Sequence, residues 1–213
     1  GRRPLRVMED CGFLGPDVWF AHGIFFNDEE LDLLAATKTG VAHCPSSNMR
    51  LGSGICRVRE MLDRGVPVGL AVDGSASNDS SDMLGEARQA LLLQRIRYGS
   101  RGITAREVIA AATRGGAALL GYGQAGMLME GALADIALFD VMKLEYAGAL
   151  SDPIAALLFS GYDHGVDHLI VNGKFVVRSR KLSGEGLGGI DEETIRVNAE
   201  KAARRLCAAA GIR

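Results

Sequence analysis

The feature of this sequence that most constrains its fold is the alternation of short apolar runs with longer amphipathic runs over its first two thirds. VWFAH at 18–22, VAHC at 41–44 and VPVGLAV at 66–72 have the length and composition of buried strands. A segment with helical spacing follows each run. This strand and helix order predicts βα units built on a parallel sheet.

Helix boundaries are marked by capping residues. Asn27 precedes three acidic residues and predicts a helix start, and Gly40 is predicted to end that helix. Thr104 and Glu107 have the spacing of a capping box at the start of a later helix. Residues 45–48, Pro-Ser-Ser-Asn, are predicted to form a loop.

The pattern changes near Gly123, where strand-like runs replace the alternation. Runs at 133–140, 166–171 and 174–177 are rich in β-forming residues, and Asn172-Gly173 between the last two predicts a tight hairpin. A terminal helix is predicted from about Asp191 to Ala210. The predicted organisation is therefore βα units over 1–122, a small β module over 123–182, and a terminal segment over 183–213 whose helix packs on one of the other two.

Composition narrows the possible functions of the 213-residue chain. Its formal net charge of −2 offers no basic surface for nucleic acid or for an anionic membrane. No apolar run approaches the roughly 20 residues of a membrane-spanning helix. The four cysteines form no CxxC pair, so disulfides and structural zinc are disfavoured and a cytoplasmic location is predicted. Gly1 is not an initiator Met, and we expect a further segment to precede it.

Polar residues stand at the ends of the three predicted parallel strands, where the active sites of parallel barrels form. Asp73 ends the most apolar strand, and a metal ligand or general base is favoured over a loop cap. For His22, a buried structural histidine and a functional one are equally supported. Adjacent strand residues point to opposite faces, so one of His43 and Cys44 is predicted to be buried packing. The four-residue spacing of His164 and His168 falls among β-forming residues, which favours a structural or surface role.

Three segments that contain these residues resemble, in order, the metal-dependent amidohydrolase superfamily: VWFAHGIFFNDEEL, GVAHCPSSNMRLGSGI and GVPVGLAVDGSASNDSSDML. The similarity is to the branch of cytosine/guanine deaminases and triazine hydrolases, and above all to its 8-oxoguanine deaminase group. Two later segments, GMLMEGALADIALFD and VDHLIVNGKFVV, are similar to the carboxyl-terminal part of the superfamily's β-sandwich.

The resemblance implies an α/β fold: the terminal portion of a distorted (β/α)8 TIM barrel, plus the carboxyl-terminal strands of a small β-sandwich. A complete barrel takes about 250 residues, so about three terminal strands are expected here. The superfamily's other metal-binding histidines would then lie in an amino-terminal half, which becomes a required partner. A homo-oligomer is also implied.

The same resemblance implies roles for individual residues. Asp73 matches an aspartate that binds the metal and moves a proton, and His22 matches a histidine that polarises the substrate or stabilises the attacking hydroxide. The metal is expected to be zinc, with iron as the alternative. The residues expected to line the substrate pocket are His43, Ser46, Asn48, Ser75 and Asn78.

The activity implied is metal-dependent hydrolytic deamination of a small amino-substituted heterocycle of the 8-oxoguanine, guanine/cytosine or pterin type, with release of ammonia. One alternative is a triazine hydrolase that removes chloride or an alkylamine. Another is a metal-free, non-catalytic module whose open sheet edge recruits a protein partner.

Overall fold

The structure, a computed structural model, describes residues 1–183 and 191–211. It divides into one unit of Gly1–Leu133 with Asp140–His164, and a second of Ala134–Phe139 with Gly165–Arg213. Both α-helices and β-sheets are present, which confirms the predicted α/β class. The predicted boundaries after 122 and 182 stay predictions, and residues 184–190 and 212–213 of the predicted terminal segment lie outside the described residues.

A three-stranded parallel sheet forms the centre of the first unit. Its strands, β1 (Trp19–Ala21), β2 (Gly40–His43) and β3 (Val68–Leu70), lie in the order β1-β2-β3. Phe20 pairs with Val41, and Val41 with Val68. All three predicted strands are confirmed: β1 and β3 are shorter than their apolar runs, and β2 starts and ends one residue earlier than its run. Every residue of β2 and β3 is buried.

One helix precedes the first strand, and helices follow each of the three strands as predicted. In the first unit they are α1 (Pro4–Asp10), α2 (Asp28–Thr37), α3 (Pro45–Arg50), α4 (Val58–Arg64), α5 (Met83–Tyr98), α6 (Ala105–Ala110), α7 (Gly116–Leu119) and α8 (Pro153–Phe159). A π-helical turn, Ala111–Gly115, joins α6 to α7, and Leu144–Tyr146 forms a 3₁₀ turn.

The predicted helix start at Asn27 and the predicted capping box at Thr104 are confirmed, and Asn27 also forms a capping box. The Asn27 side chain accepts a hydrogen bond from the Glu30 amide at 2.9 Å, and the Glu30 carboxylate accepts one from the Asn27 amide at 2.9 Å. Thr104 and Glu107 make the same reciprocal pair at the start of α6.

Two local predictions were wrong. Gly40 does not end α2: Lys38 does, in the left-handed conformation with φ 59°, and Gly40 begins β2. A Cβ atom at Gly40 would lie 2.2 Å from a Leu119 methyl carbon, so close packing explains that glycine. Residues 45–48 are not a loop but the first turns of α3, where Pro45 is tolerated because the first helical turn needs no amide hydrogen.

The core of the first unit lies between the parallel sheet and the helices. Leu31 and Leu34 of α2, Met61 of α4 and Leu91 of α5 are fully buried in it. The strands are packed against these helices, and their carboxyl ends are shaped by the segments that follow them. Further buried members are Leu5, Val41, Cys56, Val58, Val68, Ala87, Ile103, Val108 and Leu158.

The second unit is an antiparallel sheet with a helix. Its strands, in the order β4-β5-β6-β7, are β4 (Ile136–Leu138), β5 (His168–Val171), β6 (Lys174–Arg178) and β7 (Lys181–Leu182).

The predicted tight turn between β5 and β6 is confirmed, with φ of 49° at Asn172 and 75° at Gly173. The predicted terminal helix is also confirmed as α9 (Glu192–Ala209), capped by Asp191. Its apolar residues Ile195 and Leu206 are exposed, and the surface on which it packs stays a prediction.

Candidate functional site

Two of the predicted site residues meet at the carboxyl end of the parallel sheet. His22 directly follows β1, Asp73 follows β3, and the His22 Nε2 atom lies 3.8 Å from the Asp73 Oδ2 atom. Both residues have positive φ, 68° and 67°. Such backbone conformations are uncommon outside glycine and cluster at functional sites. The strands therefore deliver a carboxylate and an imidazole to one location.

Two hydroxyl groups hold the Asp73 carboxylate. Its Oδ2 atom accepts hydrogen bonds from Ser47 Oγ at 2.6 Å and from Ser77 Oγ at 2.8 Å. The hydrogen bond from Ser47, followed by those from Ser77 and the Gly74 backbone, lowers the pKa of Asp73 to about 2. Asp73 is therefore ionised at neutral pH, the state in which a carboxylate binds a cation or accepts a proton.

The His22 ring is oriented by a side-chain amide. His22 Nδ1 lies 2.8 Å from Asn48 Oδ1. An amide oxygen only accepts hydrogen bonds, so Nδ1 carries the proton. Nε2 is then the ring nitrogen that faces Asp73, and the 3.8 Å between Nε2 and Oδ2 is too long for a direct hydrogen bond.

A buried glutamate supports both loops of the site. Glu86, in the first turn of α5, accepts a hydrogen bond from the Ser46 amide at 3.1 Å through Oε2. Its Oε1 atom accepts one from Asn78 Nδ2 at 2.8 Å, and Asn78 Nδ2 also lies 2.8 Å from the Val72 carbonyl oxygen. Glu86 thereby fastens the loop after Asp73 to the start of α3.

The predicted pocket residues lie in different surroundings. Ser75 is exposed in the loop after Asp73, and Ser46 is half-buried in α3. Asn48 and Asn78 are buried, and the hydrogen bonds described above hold them. Their predicted contact with substrate stays a prediction.

His43 and Cys44 are both buried, although only one of them was expected to be. Burial, with a smaller electrostatic contribution from the neighbouring His22, lowers the pKa of His43 to about 4, so the His43 ring is neutral. Neither of its ring nitrogens has a hydrogen-bond partner in the described part of the chain. Burial raises the pKa of the Cys44 thiol to about 11, and this removes Cys44 as a thiolate nucleophile at neutral pH.

The remaining two histidines make local contacts. His164 Nδ1 contacts the Asp82 carboxylate at the start of α5. His168, in β5, accepts a hydrogen bond from the Ser179 amide at 3.3 Å. Both contacts agree with the structural or surface role expected for these residues.

A cavity of about 360 Å³ lies beside His22. Its wall is largely apolar, with Ile24 and Phe25 on the loop after β1. The Arg3 guanidinium donates to the Glu30 carboxylate at 2.8 and 2.6 Å at the same cavity. The volume of this cavity is within the range of pockets for small organic ligands.

The donor atoms fit a metal site in part. An ionised carboxylate is a usual zinc ligand, but a catalytic zinc takes three protein ligands. Over residues 1–183 and 191–211, no group of three or more His, Cys, Asp or Glu side chains is arranged to hold a metal. Asp73 therefore fits as one metal ligand, but the described residues do not supply a complete set of ligands.

Sequence reasoning found Asp73 and His22 because both stand at strand ends. It missed Ser47, Ser77 and Glu86. Ser47 was hidden in a segment predicted to be a loop. Ser77 was one of several small polar residues after Asp73. The signal for Glu86 was its position in the first turn of a helix that directly follows that loop.

None of the helices in the described residues is both long and apolar enough to cross a bilayer.

Comparison with known proteins gives consistent relatives. An 8-oxoguanine deaminase of Pseudomonas aeruginosa is 47% identical over 190 residues, which cover 89% of this chain and 42% of the relative. An isoxanthopterin deaminase from an unknown prokaryotic organism is 41% identical over 212 residues, covering 92% of this chain and 44% of the relative. The chain thus spans less than half the length of these curated relatives.

A solved structure gives the same result for the fold. The crystal structure of an adenosine deaminase from Xanthomonas campestris with bound zinc superposes with a TM-score of 0.91 at 28% identity, covering 98% of this chain and 46% of that one. A family model described as "Amidohydrolase family" matches residues 2–176. This match takes in all three parallel strands and the side chains at their carboxyl ends. The chain belongs to the amidohydrolase family.

Proposed function

We propose that this chain supplies the carboxyl-terminal half of the active site of a metal-dependent hydrolytic deaminase. The substrate is an amino-substituted heterocycle of the 8-oxoguanine, guanine/cytosine or pterin type, and water replaces its amino group to release ammonia. The observation that carries the proposal is the pair of Asp73 and His22, whose Oδ2 and Nε2 atoms lie 3.8 Å apart at the end of the parallel sheet. Deaminases among the relatives support it.

In this proposal, Asp73 holds the metal together with ligands from an amino-terminal half. The metal is zinc, with iron as the alternative, and when bound it supplies Lewis acid chemistry that makes a nucleophile from water near neutral pH. The zinc reported for the related adenosine deaminase supports this choice. The need for the other half follows from the incomplete donor set described above.

The chain's own residues then position the substrate and move protons. A carboxylate oxygen of Asp73 takes a proton from the attacking water and returns it to the departing amino nitrogen, so that ammonia leaves. The low pKa of Asp73 keeps its carboxylate ionised at neutral pH, the state in which it can bind a metal and hold a transferred proton. His22 Nε2 faces the reacting ring, while its Nδ1 hydrogen is held by Asn48.

We propose an architecture for the whole protein that the same relatives support. Residues 1–122 form the last βα units of a distorted (β/α)8 barrel, 123–182 form part of a β-sandwich, and 183–213 pack as a terminal segment. Ser46, Ser75 and the apolar cavity beside His22 face the heterocycle. The assembled protein is a cytoplasmic homo-oligomer.

Ammonia release from a panel of heterocycles tests this proposal. The 213-residue chain is purified alone and with an amino-terminal amidohydrolase half, and is offered 8-oxoguanine, guanine, cytosine, isoxanthopterin and hydroxyatrazine. We expect ammonia from a purine, pyrimidine or pterin only when both halves are present, with bound zinc or iron near one per assembly.

Asp73→Asn should abolish this turnover, because an amide accepts no proton in this role. Asp79→Asn is the matched control, since Asp79 lies in the same loop and its exposed carboxylate contacts Arg50. Full activity in Asp73→Asn would overturn the proposal. Turnover of hydroxyatrazine alone would favour the triazine hydrolase, and an assembly with neither metal nor turnover would favour a non-catalytic module.

A further inference from the structure

Adjacent residues of α3 reach the two candidate catalytic side chains on either side of it. Ser47 Oγ donates to Asp73 Oδ2 at 2.6 Å, and Asn48 Oδ1 accepts from His22 Nδ1 at 2.8 Å. Asp73 follows β3 and His22 follows β1, whereas α3 follows β2, the strand between them. One short helix therefore contacts the residue delivered by each neighbouring strand.

Helix geometry explains how the adjacent residues Ser47 and Asn48 contact side chains on opposite sides of α3. Consecutive side chains on an α-helix diverge by about 100°, so Ser47 and Asn48 point in different directions from one backbone. Their exposed fractions are only 0% and 1%. In this buried position Ser47 contacts Asp73 and Asn48 contacts His22.

The helix that carries them is fixed. The Ser46 amide donates to the buried Glu86 carboxylate at 3.1 Å, which holds the first turn of α3 against α5. A helix held in this way sets the positions of both side chains at once, because neither can shift without the other.

We propose that Ser47 and Asn48 are positioning residues that act as a pair: Ser47 holds the Asp73 carboxylate, and Asn48 holds the proton of His22 on Nδ1, so that Nε2 faces the reaction centre. The inference rests on the proposed deaminase function for its catalytic consequence. Its structural part, the ring state of His22, does not depend on that function.

The first experiment reads the His22 ring directly. Nitrogen-15 NMR of the imidazole in the metal-free 213-residue chain is expected to show the proton on Nδ1 in the wild type. Asn48→Ala removes the acceptor and should give a mixture of the two tautomers. Asn48→Asp restores an acceptor oxygen and should return the proton to Nδ1. An unchanged tautomer in Asn48→Ala would overturn the inference.

The second experiment measures kinetics in the assembly of both halves. Supporting residues of this kind contribute about 10–100-fold to activity, so Ser47→Ala and Asn48→Ala should each lower kcat by about that factor and leave KM unchanged. A fall confined to KM would overturn the inference, since it would mean that these residues bind the substrate instead.

Thr39→Val controls for the loss of a buried polar group. Thr39 is buried and directly precedes β2, at the end of the strand opposite the site, and its hydroxyl accepts a hydrogen bond from the Gly15 amide at 2.9 Å. The Thr39→Val variant should lower the Tm much as Ser47→Ala does but leave the His22 tautomer and kcat unchanged. An equal fall in kcat in Ser47→Ala, Asn48→Ala and Thr39→Val would mean that Ser47 and Asn48 contribute only to stability and do not position the catalytic side chains. If the wild-type assembly turns over no heterocycle, the proposed function fails while the NMR result still decides the positioning of His22.

Discussion

Glu86 and Asn78 are joined by a buried hydrogen bond: Glu86 Oε1 accepts from Asn78 Nδ2 at 2.8 Å, and the side chains are 1% and 4% exposed. Glutamate is rarely buried this deeply unless its oxygens are satisfied. Here the second carboxylate oxygen accepts the Ser46 amide hydrogen. The carboxylate therefore joins two segments that are far apart in sequence.

Removing this carboxylate should destabilise the protein. Glu86→Ala leaves the Asn78 amide and the Ser46 amide without their acceptor, and a buried unpaired donor costs about 1–3 kcal/mol. We expect a loss of that size or more in the free energy of unfolding, measured in urea. Glu130→Gln, at an exposed position, should change it by less than about 0.5 kcal/mol. Equal stability of the two variants would contradict the role of Glu86.

Gly115 should not tolerate a side chain. A Cβ atom there would lie 2.1 Å from the Val68 carbonyl oxygen, where the π-helical turn packs on β3. Gly115→Ala should lower the free energy of unfolding by about 1–3 kcal/mol, the usual effect of overpacking. Gly123→Ala is the control, because no atom lies within 4 Å of its added Cβ. Thermal unfolding of both variants tests this prediction, which fails if Gly115→Ala is neutral.

Lys38 offers a stabilising substitution. It ends α2 with φ 59°, a conformation that costs a residue with a side chain about 1–2 kcal/mol and costs glycine little. Lys38→Gly should therefore raise the free energy of unfolding by up to about 1 kcal/mol. Ala36→Gly, inside the same helix, should lower it by about 1 kcal/mol. Chemical denaturation of both variants should give opposite signs, and a loss of stability in Lys38→Gly would contradict this.

The contribution of Glu60 to stability should depend on pH. A hydrogen bond from Arg57 is the largest cause that lowers the pKa of Glu60 to about 2, and Tyr98 also donates to it. The pKa in the folded state is then below that in the unfolded state. The stabilisation is present above pH of about 4.5 and is lost as the pH falls toward 2.

We expect Glu60→Gln to be less stable than the wild type at pH 7 by about 1 kcal/mol, with a difference that shrinks to nothing near pH 2. Urea unfolding across this range measures it. Glu130→Gln should show no such trend. A difference in Glu60→Gln that stays constant with pH would mean that the side chain acts through packing and not through its charge.

Much of the fold could be predicted from the sequence because the relevant signals are local. The apolar runs, the capping residues Asn27 and Thr104, and the Asn172-Gly173 turn act over a few residues. Asp73 and His22 could be found because a parallel sheet brings its carboxyl ends together. Local signals failed where contacts with residues distant in sequence determine the local structure. The π-helical turn ends at a glycine that packs against the Val68 carbonyl, and Gly40 is required by Leu119.

The supporting residues of the site were harder to predict for the same reason. Pro-Ser-Ser-Asn has the composition of a turn, yet it begins α3, where a glutamate about 40 residues away accepts the Ser46 amide hydrogen. A serine in such a segment gives no sign that its hydroxyl will meet Asp73. Those contacts arise only when the strands and α5 are assembled.

The position of Ser47 and Asn48 as consecutive residues of one helix also limits how this segment can evolve. Inserting or deleting one residue between Pro45 and Asn48 would rotate the following side chains by about 100°, so the hydroxyl and the amide would no longer reach their partners. Point substitutions at exposed Ser75 carry no such penalty. Changes of length should therefore be excluded from α3 and accumulate in the loops beyond it, where a lineage can alter its substrate and keep its chemistry.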